Sequence, residues 1–170
     1  MPKDSALTFH LCETALGWVG LVLSPRGLRA ATLPRASRDG ALHEALALGA
    51  AAPASEAGLG DIPRRVRALA EGSGDATGIP IDWNGLSGFR RAVLEETLRI
   101  PRGQARTYGW LACQVGRARA ARAVGRVMAT NPLPLVIPCH RVVGADGSLR
   151  GYGGGLWMKE ALLRAEGARR

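Results

Sequence analysis

The sequence predicts an α/β N-terminal domain over residues 1–80, built on a small antiparallel sheet, and a mainly helical C-terminal domain over 81–170 with a helix-turn-helix. Three observations lead there. Short apolar runs broken by glycines and a tight turn mark strands near the N terminus. The stretch EGSGDATGIP at 71–80 reads as a linker. Beyond it, apolar residues recur at helical spacing. The 170 residues, 46% hydrophobic and 22% charged, exclude disorder as the general state and are enough for a real core. No apolar run approaches the roughly 20 residues that cross a bilayer, so no membrane partner is expected. The start, MPKDSALTFHLCE, lacks the apolar stretch of a secretory signal. Cys12, Cys113 and Cys139 show no CxxC spacing, which suggests neither a disulfide framework nor a zinc ribbon; a reducing cytoplasm is the expected location.

Taken in order, residues 6–33 hold the strands, with SPRG as a tight turn between VGLVL and LRAATL. Leu42, Ala45 and Leu46 give residues 40–50 a helical spacing. The Ala/Gly/Pro-rich stretch 49–61 reads as a loop, and 62–71 as a helix with Pro63 near its start. In the second part, residues 87–98 form a helix with Ser87 as N-cap and Phe89, Val93 and Leu94 inward. IPRGQAR, 100–106, is a turn. Tyr108, Leu111, Ala112 and Val115 define a helix capped by Thr107 and stopped by Gly116. Another helix runs from about 118 to 128, with Val124, Val127 and Met128 on its inner face. These two short helices around a glycine turn make the helix-turn-helix. A last helix covers 156–167.

Charge separates the two parts. Residues 1–80 carry eight basic and eight acidic side chains, so the formal net charge of +9 comes entirely from 81–170. Between Glu96 and Asp146 there are eight arginines and no carboxylate side chain. A one-sided basic segment is a footprint for a polyanion, most often nucleic acid. Arg119, Arg122 and Arg126 fall at i, i+3 and i+7, one stripe of the second short helix, roughly opposite Val124. The small Ala120, Ala121, Ala123 and Gly125 around them let a helix approach a groove closely while guanidinium groups reach phosphates or bases. A solvated basic face on an Ala-rich helix is the plainer reading of the stripe alone.

The reactive candidate is Cys139, delivered by the apolar run LPLVI into Pro138-Cys139-His140-Arg141. A cysteine in an apolar setting is usually an inert small hydrophobe. Here His140 and Arg141 stand next to it, and imidazole or guanidinium groups favour the nucleophilic thiolate. Glu166 follows Leu162 and Leu163 by four and three residues and shares their apolar face. A carboxylate pointing inward must be paired, and a Cys–His–Glu relay would satisfy it; a frayed last turn with Glu166 in water is the alternative. Only His10, Cys12 and His43 offer soft ligands in the first part, so no metal and no cofactor is expected.

IPCHRVVG, with RAVGRVMATNPLP before it and GYGGGLWMKEALLRAEG after it, closely resembles the O6-alkylguanine-DNA alkyltransferase family, without gaps from about Phe89 to Gly167. The resemblance implies a ribonuclease-H-like first domain and a direct-reversal DNA repair protein without cofactor; some relatives hold zinc in the first domain, for which this sequence lacks the ligands. Its partner is double-stranded DNA, bound through the minor groove by a monomer, with cooperative binding left open. The alkylated guanine leaves the stack, because its alkyl carbon is unreachable inside it, and the alkyl group passes irreversibly to Cys139, once per molecule. By position, His140 is the base acting through a water, Glu166 orients it, and Asn131 ties the turn near the thiol. Tyr108 helps protonate the leaving guanine, and Arg122 replaces the flipped base in the stack. Arg119, Arg126 and Arg141 join the DNA-binding set. Tyr152, Gly153 and Gly154 form the loop over the pocket, and the main chain at Cys139 and Val142 reads the guanine amine. Trp110, Arg90, Leu94, Arg150 and Gly153 depart from residues frequent in the family. Three other readings follow from the same residues: a damage sensor without transfer, a regulatory DNA-binding protein, and a thiol hydrolase.

Overall fold

Alternating apolar residues and two-residue connections make β1 (Leu7–Thr14), β2 (Gly17–Ser24) and β3 (Gly27–Ala31) an antiparallel meander. Gly17 is required at the first connection: its φ is +122°, and a Cβ there would sit 2.5 Å from the Arg35 carbonyl oxygen. The computed structural model describes residues 6–168; the reading of the first residues as free of a secretory signal falls partly outside them. After β3 the chain enters α1 (Arg38–Ala47), whose N-cap Ser37 accepts from the Gly40 amide at 3.1 Å. It returns as β4 (Ala50–Pro53), giving the sheet order β3-β2-β1-β4.

The sheet is therefore mixed, not antiparallel throughout. A helix between β3 and β4 carries the chain across the sheet and sets β4 parallel to β1. The stretch 49–61, expected as a loop, contains β4 and the short α2 (Glu56–Leu59). AAAP has no β-branched or aromatic residue to announce a strand; pairing with β1 makes it one. α3 (Ile62–Ala70) turns Val66, Leu69 and Ala70 inward and packs on β1.

Residues 71–80 hold no helix or strand, but they are fastened down: the Leu28 amide donates to the Pro80 carbonyl at 2.8 Å. Beyond them come α4 (Gly88–Leu98), capped by Ser87, and α5 (Tyr108–Gln114), where Thr107 Oγ1 accepts from the Trp110 amide at 3.0 Å. α6 spans Ala121–Ala129, three residues shorter at its start than the expected helix, because residues 117–120 form a turn. Two-residue strands β5 (Arg106–Thr107) and β6 (Val142–Val143) pair in parallel, and α7 (Leu156–Ala165) closes the described chain.

One cluster of buried apolar residues runs through both parts, from Val19, Leu21 and Leu28 of the sheet to Leu94, Leu111, Val124 and Leu162 of the helices. The Ala31 amide at the end of β3 donates to the Pro132 carbonyl at 2.8 Å, seating the sheet against the segment that leads to Cys139. Among the described residues no helix is long and apolar enough to cross a membrane.

Candidate active site

The segment 131–143 is a buried loop held from within. Asn131 Nδ2 donates to the Ile137 carbonyl at 2.9 Å, and its Oδ1 accepts from the Leu133 amide at 3.0 Å. Leu135, only 1% exposed, sits at φ +71°, a left-handed conformation that favours glycine. Its buried side chain and the Asn131 clamp together hold it there. Pro138 then leads into a single 3-10 turn, Cys139–Arg141, with all three side chains buried.

Behind the thiol lies an ionic network. His140 Nε2 and Glu166 Oε1 are 2.8 Å apart. Arg141 donates from Nε and Nη2 to the two carboxylate oxygens of Glu166 at 2.9 and 2.8 Å, and from Nη1 to the Ile100 carbonyl at 2.6 Å. Glu166 caps the C-terminal end of α7, so a terminal residue is fixed by two partners from the 139–141 turn. Burial works against its charge, yet hydrogen bonds from His140 and Arg141 bring its pKa down to about 2. Burial pushes the His140 pKa below its ordinary value despite the pull of Glu166, so the imidazole is neutral. With Nε2–H given to the carboxylate, the lone pair lies on Nδ1, which is buried and has no hydrogen-bond partner among the described residues.

Arg141 is therefore not on a DNA-facing surface, contrary to its expected place: the inward carboxylate needs a cation, and Arg141 supplies it.

Cys139 lies on the wall of a cavity of about 710 Å³. Burial raises the thiol pKa, while Asn131, the Lys159 ammonium and the Tyr152 hydroxyl draw it back down. The Tyr152 hydroxyl is buried without a hydrogen-bond partner among the described residues, and burial together with the Cys139 thiol nearby pushes its own pKa up. Tyr108, Gly125, Asn131, Tyr152 and Gly153 share the cavity wall with Cys139. Burial raises the Tyr108 pKa, keeping its phenol protonated. Two expected pocket residues lie elsewhere. Gly154 packs on Met158, whose sulfur would be 2.4 Å from a Cβ there. Val142 is buried in β6, and its carbonyl accepts from Lys159 Nζ at 2.5 Å.

On α6, Arg122 and Arg126 are exposed one helical turn apart, with buried Val124 on the opposite face. Arg119 is exposed too, but it lies in the turn before α6, so the basic stripe on the helix has two members rather than three. Ala121, Ala123 and Gly125 are partly exposed between them, and Ala120 is the N-cap.

Residues 88–168 match the family model described as 6-O-methylguanine DNA methyltransferase, DNA binding domain. A methylated-DNA–protein-cysteine methyltransferase of Salmonella typhimurium is 53% identical over 79 residues, 46% of each chain. The matching segment thus spans about half the length of such curated relatives. Solved structures extend the likeness. An O6-methylguanine-DNA methyltransferase from Pyrococcus kodakaraensis is 30% identical, with 95% of this chain and 99% of that one covered at a TM-score of 0.72. The chain belongs to the O6-methylguanine-DNA methyltransferase family. Mycobacterium tuberculosis OGT in complex with DNA is also similar, 30% identical with a TM-score of 0.77, covering 94% of this chain and 92% of that one.

In this methyltransferase-family chain, two features of the site were not foreseen from the sequence. Lys159 on α7 is only 1% exposed, donates to the Val142 and Leu149 carbonyls at 2.5 and 2.7 Å, and has its pKa lowered to about 8 by burial. Its spacing carried the signal, for Lys159, Leu162, Leu163 and Glu166 share one helical face at i, i+3, i+4 and i+7. The other is the far cavity wall, made by Ala31, Leu33, Glu44 and Leu48 of the first part. No local pattern announces a contact formed across the fold.

Proposed function

We propose that the protein repairs alkylated DNA by direct reversal, moving the O6-alkyl group of a flipped guanine irreversibly onto its own Cys139 Sγ. The observation that carries this reading is one thiol on a cavity wall, with a neutral imidazole and a paired carboxylate linked behind it. His140 Nδ1 takes the thiol proton, through a water, while Glu166 holds the ring and stabilises the imidazolium formed. The sulfur attacks the alkyl carbon: the S–C bond forms and the C–O6 bond breaks. Tyr108 gives its phenolic proton to the leaving guanine and recovers the proton released from the thiol, so the products are neutral guanine and an S-alkyl cysteine. The raised Tyr108 pKa suits a donor that is protonated when the substrate arrives. No cofactor or metal enters this balance. Asn131 and Tyr152 position the sulfur, and Gly153 belongs to the loop over the base.

On this reading α5, the turn at 115–120 and α6 are the helix-turn-helix, which enters the minor groove of duplex DNA as a monomer. Exposed Arg122 and Arg126 with small neighbours support it, and Arg122 fills the place of the flipped base. The α1 crossover and mixed sheet support a ribonuclease-H-like first domain. The start of the family-model match at residue 88 supports two domains, 1–80 and 81–170. Three free cysteines suit a reducing cytoplasm.

Mass spectrometry after incubation with an O6-methylguanine duplex tests the proposal. The wild type should gain one methylene, and Cys139→Ser should gain none while still binding the duplex. Binding without any gain by the folded wild type would make this a sensor or regulator instead.

A further inference from the structure

Most arginines near the cavity already have an anion. Arg35 donates from Nε and Nη2 to the two oxygens of Glu44 at 2.5 and 2.8 Å, Arg150 pairs with Asp146 at 3.2 Å, and Arg141 with Glu166. Arg90 is different. It stands in the first turn of α4 and lines the cavity, half-buried, yet among the described residues it makes no ion pair. One Nη donates to the Thr130 carbonyl at the end of α6, and its Nε is buried without any acceptor. Its neighbour Arg91 bonds Glu95 at 2.8 Å and covers the Trp83 ring, so of these two arginines it is Arg90 that lines the cavity without an ion pair among the described residues.

Position identifies the missing acceptor. Thr130 is exposed, so the Arg90–Thr130 contact lies at the mouth of the cavity and not on its floor by Cys139. Exposed Arg122 and Arg126 come from the same α6, and Thr130 Oγ1 donates to the Arg126 carbonyl at 2.9 Å. The basic face of α6 thus runs on to Arg90 at the mouth. An alkylated guanine base is neutral; the anionic part of a flipped nucleotide is its phosphodiester, which stays outside while the base enters. We infer that Arg90 holds a backbone phosphate flanking the flipped nucleotide, through the guanidinium N–H groups on its exposed Nη side that the Thr130 carbonyl leaves free. The Thr130 carbonyl fixes the guanidinium plane beforehand, so little rotamer freedom is lost on binding.

This rests on the proposed alkyl transfer, and the test separates the two. In a Cys139→Ser background, which cannot react, binding to an O6-methylguanine duplex is measured against salt. Arg90→Gln should reduce the slope of log K against log salt by about 0.9, the loss of one phosphate contact. With Cys139 present, Arg90→Gln should slow transfer from a subsaturating duplex roughly tenfold or more. Transfer from the free O6-alkylguanine base, which has no phosphate, should be unchanged. Arg90→Lys should keep the salt slope. An unchanged slope, or an equal loss on duplex and free base, overturns the inference. Failure of the wild type to gain an alkyl group would overturn the proposed function instead.

Discussion

Replacing Glu166 by Gln keeps the shape of the side chain and removes the charge on which the buried network depends. The carboxylate meets three donors at 2.8, 2.9 and 2.8 Å, from His140 and Arg141, and its side chain is 2% exposed. Its pKa moves from 4.5 to about 2; at about 1.36 kcal/mol per pH unit, that displacement is worth about 3 kcal/mol. The independent expectation for breaking a buried pair, with the Arg141 guanidinium left behind, is roughly 3–5 kcal/mol. The two agree. The sign follows from the lowered folded pKa: this stability is complete above about pH 4.5 and is lost as pH falls through about 2. Urea unfolding of both proteins at a series of pH values measures it. At pH 7, Glu166→Gln should be about 3 kcal/mol less stable, with a melting point roughly 6–12 °C lower for a chain of this size. The gap should narrow between pH 4.5 and 2. A gap under about 1 kcal/mol at pH 7, or one that does not narrow with acid, would refute the network as a source of stability.

His140 adds acid sensitivity of the same sign, because its folded pKa lies below 6.5 and the unfolded chain takes the proton first; stability should begin to fall below about pH 6.5. Lys159→Met removes a cation that lowers the thiol pKa, so the pH profile for alkylation of Cys139 by iodoacetamide should move upward. It also leaves the Val142 and Leu149 carbonyls without their donor, at about 1–3 kcal/mol each in unfolding experiments; coincident alkylation profiles would exclude the electrostatic role. Arg122→Ala, at an exposed site, should leave stability within about 0.5 kcal/mol. It should slow transfer from duplex DNA, and an unchanged rate would remove Arg122 from base extrusion. A Cβ on Gly153 would lie 2.8 Å from Leu33 Cδ1. Leu33 Cδ1 is the far end of a flexible side chain and can turn away, so Gly153→Ala should leave stability within about 0.5 kcal/mol and the transfer rate nearly unchanged; a clear loss in either would show that the loop is tightly seated on Leu33.

What could be read from the sequence was what a few neighbouring residues decide. Ser87 and Thr107 announce helix starts because a hydroxyl at an N-cap satisfies a free backbone amide, and both do so. Glu166 could be expected inward because three or four residues set its face. The strand β4 could not be read, since AAAP becomes a strand only by meeting β1 across a helix. Arg141 misled because an arginine beside a reactive cysteine fits a DNA contact as well as an internal pair. Only the position of Glu166, 25 residues away in the chain, decides between them. Lys159 was hidden by its type: a lysine in a helix is ordinarily solvated, and this one is buried because two loop carbonyls converge on its ammonium.

The site holds two requirements in opposition. A pocket that takes a flipped base must exclude water, and a dry pocket keeps a thiol protonated. A nucleophile must ionise. Burial dominates at rest, so the Cys139 pKa is raised. The groups that oppose burial come from different elements: Asn131 after α6, Tyr152 in the loop and Lys159 on α7, while His140, the proposed base, shares the turn with Cys139. Each is held by its own backbone or ionic contacts, except Tyr152, whose buried hydroxyl has no hydrogen-bond partner among the described residues. The loop carrying Tyr152 also touches the first part through Gly153 and Leu33. The first part thus supplies no reactive group, but Ala31 and Leu33 stand in the same cavity wall as Cys139 and Tyr152. On the proposed transfer, a thiol that stays protonated until a base is enclosed suits a reaction in which Cys139 can accept only one alkyl group.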